Sequence, residues 1–465
     1  MLNSPEHRPG SPVPTTGSPA WHQHASLQPL QRKTLRSLSI WIAASIAASV
    51  AVLYARLIGW AQTFQSQAFH AHPILVSIAT PVLFLLATAT VRFLAPEARG
   101  SGIPQVLEVI EISQSGNTGI NIWVHRLVSL KVALVKVLSS TIGIFGGASI
   151  GREGPTVQIA ASVFSAIGNR VRKFYREAEF PSFATAGAAA GVAAAFNTPF
   201  AGITFALEEL AEDSFSSLKG VVVLGVVLAG IAAQLLAGNY LYFGHPTIPP
   251  FSLVTLALES IPIGLTAGLL GGIFARILAR PILPMPKSWW MKSLLCGALC
   301  AGLGMLTHGD TAGSGYEVTR LSLESGTAPP LYFPLLKLVS TALSYLSGMA
   351  GGIFSPCLSI GAGIGFSFAT VFHIASIRAC GLVGMVAFFS GVVQAPLTAV
   401  VIVMEMTDQH NLILPFIVAA LVAKSVGKLF MPTPLYRFLA KQSQAASRGT
   451  ISSDFSTEGH AMDLR

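Results

Sequence analysis

The chain has 465 residues, of which 52% are hydrophobic and only 11% charged, with a formal net charge of +9. A soluble domain carries roughly 25% charged residues, so this composition cannot cover a solvated surface and reads as a polytopic membrane protein. Its basic residues are scattered through tails and short loops, which suits membrane orientation and argues against a nucleic-acid-binding face.

Residues 1–37 read as a disordered cytoplasmic tail. The first 30 are rich in Pro, Ser, Thr and His with almost no periodic apolar residues. They lack the basic start and compact apolar core of a signal peptide. Arg32, Lys33 and Arg36 precede the first apolar run, about Leu38–Trp60, which places the N-terminus in the cytoplasm by the positive-inside rule. A second span is predicted at about Ile74–Leu94. Then Pro96-Glu-Ala-Arg-Gly-Ser-Gly-Ile-Pro104 forms a polar, glycine-rich loop, followed by an apolar stretch ending near Ile112 that is too short to span.

Further segments are predicted at about Val124–Ile142, Pro155–Ile167, Phe183–Ala195, Pro199–Leu210 and Gly220–Leu236. Several are short and interrupted by Gly and Pro, which a bilayer tolerates only where they are buried in protein or line a polar cavity. The second half offers spans at about Leu253–Leu278 and Leu294–Leu306, then a polar loop with Gly313-Ser314-Gly315. Short elements follow at Leu331–Leu346, Phe354–Phe372 (broken at its glycines), Gly381–Val393, Pro396–Met406 and Leu412–Phe430. Pro434–Lys441 reads as a short amphipathic end, and 442–465 as a loose cytoplasmic tail.

The chain echoes itself. Pro199-Phe-Ala-Gly-Ile-Thr-Phe-Ala-Leu-Glu208-Glu209 is matched by Pro396-Leu-Thr-Ala-Val-Val-Ile-Val-Met-Glu405-Met406. In each half a glutamate lies nine residues after the proline, which assigns Glu208 and Glu405 to structure. Met406 stands where Glu209 does, so Glu209 is the carboxylate the repeat does not require. Two halves, about 38–238 and 250–441, with broken helices in matching places point to a substrate site between them near the midplane.

Three glycine- and proline-rich helix starts could build that site: Gly100-Ser-Gly-Ile-Pro104, Gly151-Arg-Glu-Gly-Pro155 and Gly352-Ile-Phe-Ser-Pro356. Each offers clustered N–H groups at a positive dipole end, where an anion binds. Partial charges rather than a full counter-charge suit rapid passage, because the ion must also leave. Glu153 in such a place is a functional candidate in its own right.

On these motifs, with Phe196-Asn-Thr-Pro-Phe-Ala-Gly and Pro434-Leu-Tyr436 in the same order, the chain resembles the CLC family of chloride channels and chloride/proton antiporters from about Leu38 to Lys441. The resemblance implies an all-α inverted-repeat fold of short, broken, tilted helices. It implies a homodimer with one pathway per subunit, set in a bacterial inner membrane with both termini cytoplasmic. Chloride and protons are then the transported ions, with no cofactor. Ser101 and Tyr436 would give hydroxyls, and Ile353 and Phe354 backbone N–H groups, to a central chloride. Backbone N–H groups of Arg152, Glu153 and Gly154 would form an outer site, with Gly100 and Ser101 bordering an inner one. Glu153 would be the gate, competing with the anion as a tethered carboxylate. A glutamate at the position of Glu209 relays protons in family antiporters, whereas channels usually carry an apolar residue there. Gln105 replaces a glutamate common in relatives, with no consequence for the anion site. The paired cytoplasmic domains of many eukaryotic relatives are not expected, nor is nucleotide regulation.

The antiporter reading competes with a passive channel on the same fold. A third class, an intramembrane hydrolase, is suggested only by Gly147-Ala-Ser149-Ile-Gly151, which fits the nucleophile-elbow spacing but lies among membrane helices. Gly143–Gly147 and Gly187–Gly191 match the Gly-x-x-x-Gly packing pattern. Cys296, Cys300, Cys357 and Cys380 lie in apolar segments and read as small core residues. The 11 histidines show no metal-ligand spacing.

Overall fold

The computed structural model describes residues 29–114, 125–172, 180–210, 215–238, 241–280, 285–374 and 376–445. Among these, every regular element is helical, and the β-type pairings are two isolated bridges. Among the described residues eight helices are long and apolar enough to cross a membrane, and shorter apolar helices such as Phe183–Phe196, Ile377–Val393 and Pro396–Thr407 lie among them. Leu53, Leu75, Leu134, Leu235 and Leu429 are all exposed. Apolar side chains so placed on spanning helices require a lipid surround, and this is an integral multi-pass membrane protein.

The first helix, Pro29–Ala71, is longer at both ends than the predicted Leu38–Trp60. Its polar C-terminal half does not end it, because Gln62 and Gln65 turn into a cavity of the protein. The predicted N-terminal tail therefore loses 29–37 to helix, and its remainder, 1–28, lies outside the described residues. At the other end a helix runs over 435–445, and the rest of the predicted C-terminal tail, 446–465, also lies outside them.

The helix Ile377–Val393 is buried continuously from Ala379 onward. A helix apolar all round belongs in an interior. It packs against Phe354–Val371, which runs unbroken where breaks had been expected at its glycines. Those glycines serve close approach instead: a Cβ at Gly361 would collide with the Gly384 carbonyl oxygen, and one at Gly365 with that of Cys380. Gly187 and Gly191 do the same against the Glu153–Arg172 helix, where a Cβ would lie 2.8 Å from Ala160 O and 2.9 Å from Thr156 O. Small residues buy backbone proximity where lipid gives no hydrophobic drive between helices. All four cysteines are free and buried.

The two halves are tied by an exchange of helix caps. Glu208 accepts from Leu397 N at 3.2 Å and, through its other oxygen, from Thr398 N at 2.7 Å and Thr398 Oγ1 at 2.8 Å. Glu405 accepts from Phe200 N at 3.2 Å and Ala201 N at 2.7 Å. Each glutamate thus closes the first turn of the helix that begins the other half's motif, Pro396–Thr407 or Pro199–Phe205. Orphan N–H donors and the helix dipole both favour a carboxylate there.

Candidate ion-translocation site

The three glycine-rich motifs meet. Gly100 N donates to Met349 O (3.0 Å) and Gly351 N to Gly100 O (3.1 Å), while Gly151 and Gly352 exchange both of their backbone bonds at 2.7 and 2.8 Å. These stitches bring the starts of the helices Ile103–Gln114, Glu153–Arg172 and Phe354–Val371 together. Gly100 and Gly102 take φ of +65° and +99°, a region open to glycine at little cost. Glycine is also needed where the motifs touch: a Cβ on Gly352 would lie 3.0 Å from Gly154 N, and one on Gly154 would strike Ser101 Oγ. Of the predicted residues, Gly100, Ser101, Arg152, Glu153, Gly154, Ile353 and Phe354 therefore share one locus.

Two side-chain hydroxyls complete it. Ser101 and Tyr436 are buried, at 1% and 0% exposure. Their oxygens face each other but neither has a hydrogen-bond partner of good geometry in the protein. Buried hydroxyls are normally satisfied, so two unsatisfied ones aimed at one another mark a place for an acceptor from outside the chain. Both can donate, and with the nearby helix starts they suit an anion.

Glu153 is buried at the first position of its helix. Its Oε1 accepts from Ser355 Oγ at 2.7 Å and Tyr242 Oη at 3.2 Å, with Arg152 Nε 4.0 Å away. The carboxylate, Arg152 and Tyr242 line a cavity of about 670 Å³ that also takes in Gln62, His70, Asp310 and Ser314. Glu209 is also buried, on the π-helical turn Ala206–Leu210 that follows Pro199–Phe205. It lies outside the cavity lining but within electrostatic reach of Tyr436. The extra residue of a π turn rotates the chain, a distortion frequent at functional sites. On this turn Glu208 reaches Leu397 and Thr398 while Glu209 stays in the interior.

Sequence reasoning missed four residues. Tyr242 sits in an irregular stretch with no motif. Ser355 lay within a motif already singled out, unremarked. Lys136 and Lys337 are fully buried in helices: Lys136 Nζ donates to Gly100 O (2.9 Å), and Lys337 Nζ to the carbonyls of Thr311, Ala312 and Gly313 (2.9, 3.2 and 2.8 Å). The legible signal was a lysine in each of two apolar runs, and a Gly-Ser-Gly in each half whose first glycine carbonyl one of them now holds. Ser149, the elbow-like serine, bonds Thr341 Oγ1 (2.8 Å) through its hydroxyl, its backbone N–H donates to Ser344 Oγ (2.9 Å), and neither partner is a histidine or a carboxylate. It is a packing hydroxyl rather than a nucleophile.

An α-helical multi-pass protein whose interrupted helices meet around unsatisfied buried donors is, by class, a membrane transport protein. The chain belongs to the voltage-gated chloride channel (CLC) family, whose model matches residues 83–428. Its fold is also that of solved CLC structures. A slow cyanobacterial Cl⁻/H⁺ antiporter matches at TM-score 0.75 and 24% identity, over 90% of this chain and 99% of that one. A CLC-type fluoride/proton antiporter matches at TM-score 0.71 and 23% identity, over 89% and 99%. A eukaryotic CLC transporter matches at 0.70 and 21%, over 89% and 75%. The family is one of ion transport, not of enzymes, and its members need no cofactor.

Proposed function

We propose that the chain is a chloride/proton antiporter of a bacterial inner membrane, working as a homodimer with one pathway per subunit and both termini cytoplasmic. The observation that carries this reading is the pair of buried carboxylates, Glu153 lining the cavity and Glu209 in the interior within electrostatic reach of Tyr436. Chloride would sit between those hydroxyls and the N–H groups of Ile353 and Phe354. A second position would lie at the N–H groups of Arg152, Glu153 and Gly154, and an inner one beside Gly100 and Ser101. Glu153 occupies the outer position when chloride is away and leaves it on protonation, and Glu209 passes protons from the cytoplasmic side. A carboxylate buried in the interior is costly to keep charged, which fits a group that exchanges protons repeatedly.

Chloride and pH recorded together in reconstituted liposomes test this. A chloride gradient should drive protons uphill in the opposite direction. Chloride flux with no proton movement would place the chain among passive channels, and fluoride flux exceeding chloride flux would change the substrate.

A further inference from the structure

The carboxylate of Glu153 is held by side chains as well as by its helix start. Ser355 Oγ and Tyr242 Oη both reach Oε1, and they lie 3.3 Å from one another. Ser355 is 2% and Tyr242 5% exposed, so both hydroxyls are largely withdrawn from solvent. The tyrosine is fixed by its surroundings. Its ring makes edge-on contacts with Phe196, Phe243 and Tyr316, with centroids 5.7, 5.0 and 4.9 Å away, and the Arg152 guanidinium lies 5.5 Å from its centroid.

We propose that Tyr242 and Ser355 form a hydroxyl clamp that holds the Glu153 carboxylate docked in the outer anion position and so sets how readily chloride displaces it. This rests on the gating role given to Glu153 above. Hydrogen bonds to an ionised group are among the stronger ones in a protein, and two converge on one oxygen here. The clamp is also suited to letting go. When the carboxylate leaves, the two hydroxyls are already within hydrogen-bond distance of each other, so neither is left without a partner. Tyr242 and Ser355 act through Glu153 and are positioning residues for the gate.

The test is a cycle of variants in liposomes, reading initial chloride flux against chloride concentration. Ser355→Ala and, separately, Tyr242→Phe should lower the half-saturating chloride by roughly tenfold, the order expected for losing one hydrogen bond to a charged group, without lowering the maximal rate. In a Glu153→Gln background, where no anionic carboxylate is left to hold, the same substitutions should change half-saturation by less than about twofold on that argument. An equal change in both backgrounds, or no change in either, overturns the clamp. Ser355→Ala removes one buried oxygen and keeps the test open if Tyr242→Phe does not fold. Should Glu153→Gln alone leave protons coupled, the gating reading itself fails and the clamp falls with it. Should Glu153→Gln uncouple while the clamp variants match wild type, only the clamp is lost.

Discussion

Ser101 and Tyr436 bring two unsatisfied hydroxyls together from opposite halves of the chain, one from a loop entering the Ile103 helix and one from the helix over 435–445. Their burial means that no bulk water satisfies them, so an anion between them gains two donors already freed of solvent. Tyr436→Phe keeps the ring and deletes one donor. Chloride affinity measured by calorimetry should fall by about 1.5–3 kcal/mol, roughly tenfold or more. An unchanged affinity would remove Tyr436 from the site.

Glu153→Gln keeps the volume of the proposed gate and removes its carboxylate. Chloride should still cross, with proton transport lost, because the neutral amide neither carries a proton across nor competes as an anion. A Glu153→Gln protein that still moves protons against their gradient would show that the gate lies elsewhere.

Glu209→Gln should stop proton movement while chloride flux continues. The fold should survive it, since Met406 occupies the matching place in the other half. Full coupling in this variant would point to another internal proton acceptor.

Glu208→Ala and Glu405→Ala should each reduce stability rather than transport chemistry. A lost helix cap costs about 1–2 kcal/mol, and each carboxylate here serves more than one donor. Thermal unfolding in detergent reads this out. A midpoint equal to wild type for both variants would contradict a capping role.

Gly352→Ala forces a Cβ to within 3.0 Å of Gly154 N and 3.1 Å of Gly151 O, where two motifs are hydrogen-bonded face to face. Backbone cannot yield as a flexible side chain can, and overpacking of this kind costs about 1–3 kcal/mol. Chloride binding should weaken along with stability; calorimetric affinity at the wild-type value would mean that the stitch does not shape the anion position.

Much of the fold and part of the site could be read from residues in order. Glycine, proline and hydroxyl groups at helix starts announce local conformation, and local conformation is what a linear pattern records. The nine-residue spacing from Pro199 to Glu208 and from Pro396 to Glu405 exposed the repeat, but not that each glutamate reaches across to the other half's helix. Tyr242 was invisible because its contacts with Glu153 and Ser355 span 89 and 113 positions and follow no period. The glycines of Phe354–Val371 were misread as breaks because sequence shows a missing side chain but not the backbone that fills its place.

The exchange between Glu208 and Glu405 also bears on how the chain is made. A first half emerging from the ribosome carries a Pro199 helix that waits for Glu405 as its cap, and a Glu208 carboxylate that waits for its donors at 397 and 398. Both caps therefore form only once the two halves have docked. Two separately translated halves would carry matching unsatisfied ends and a polar reason to find each other within the bilayer.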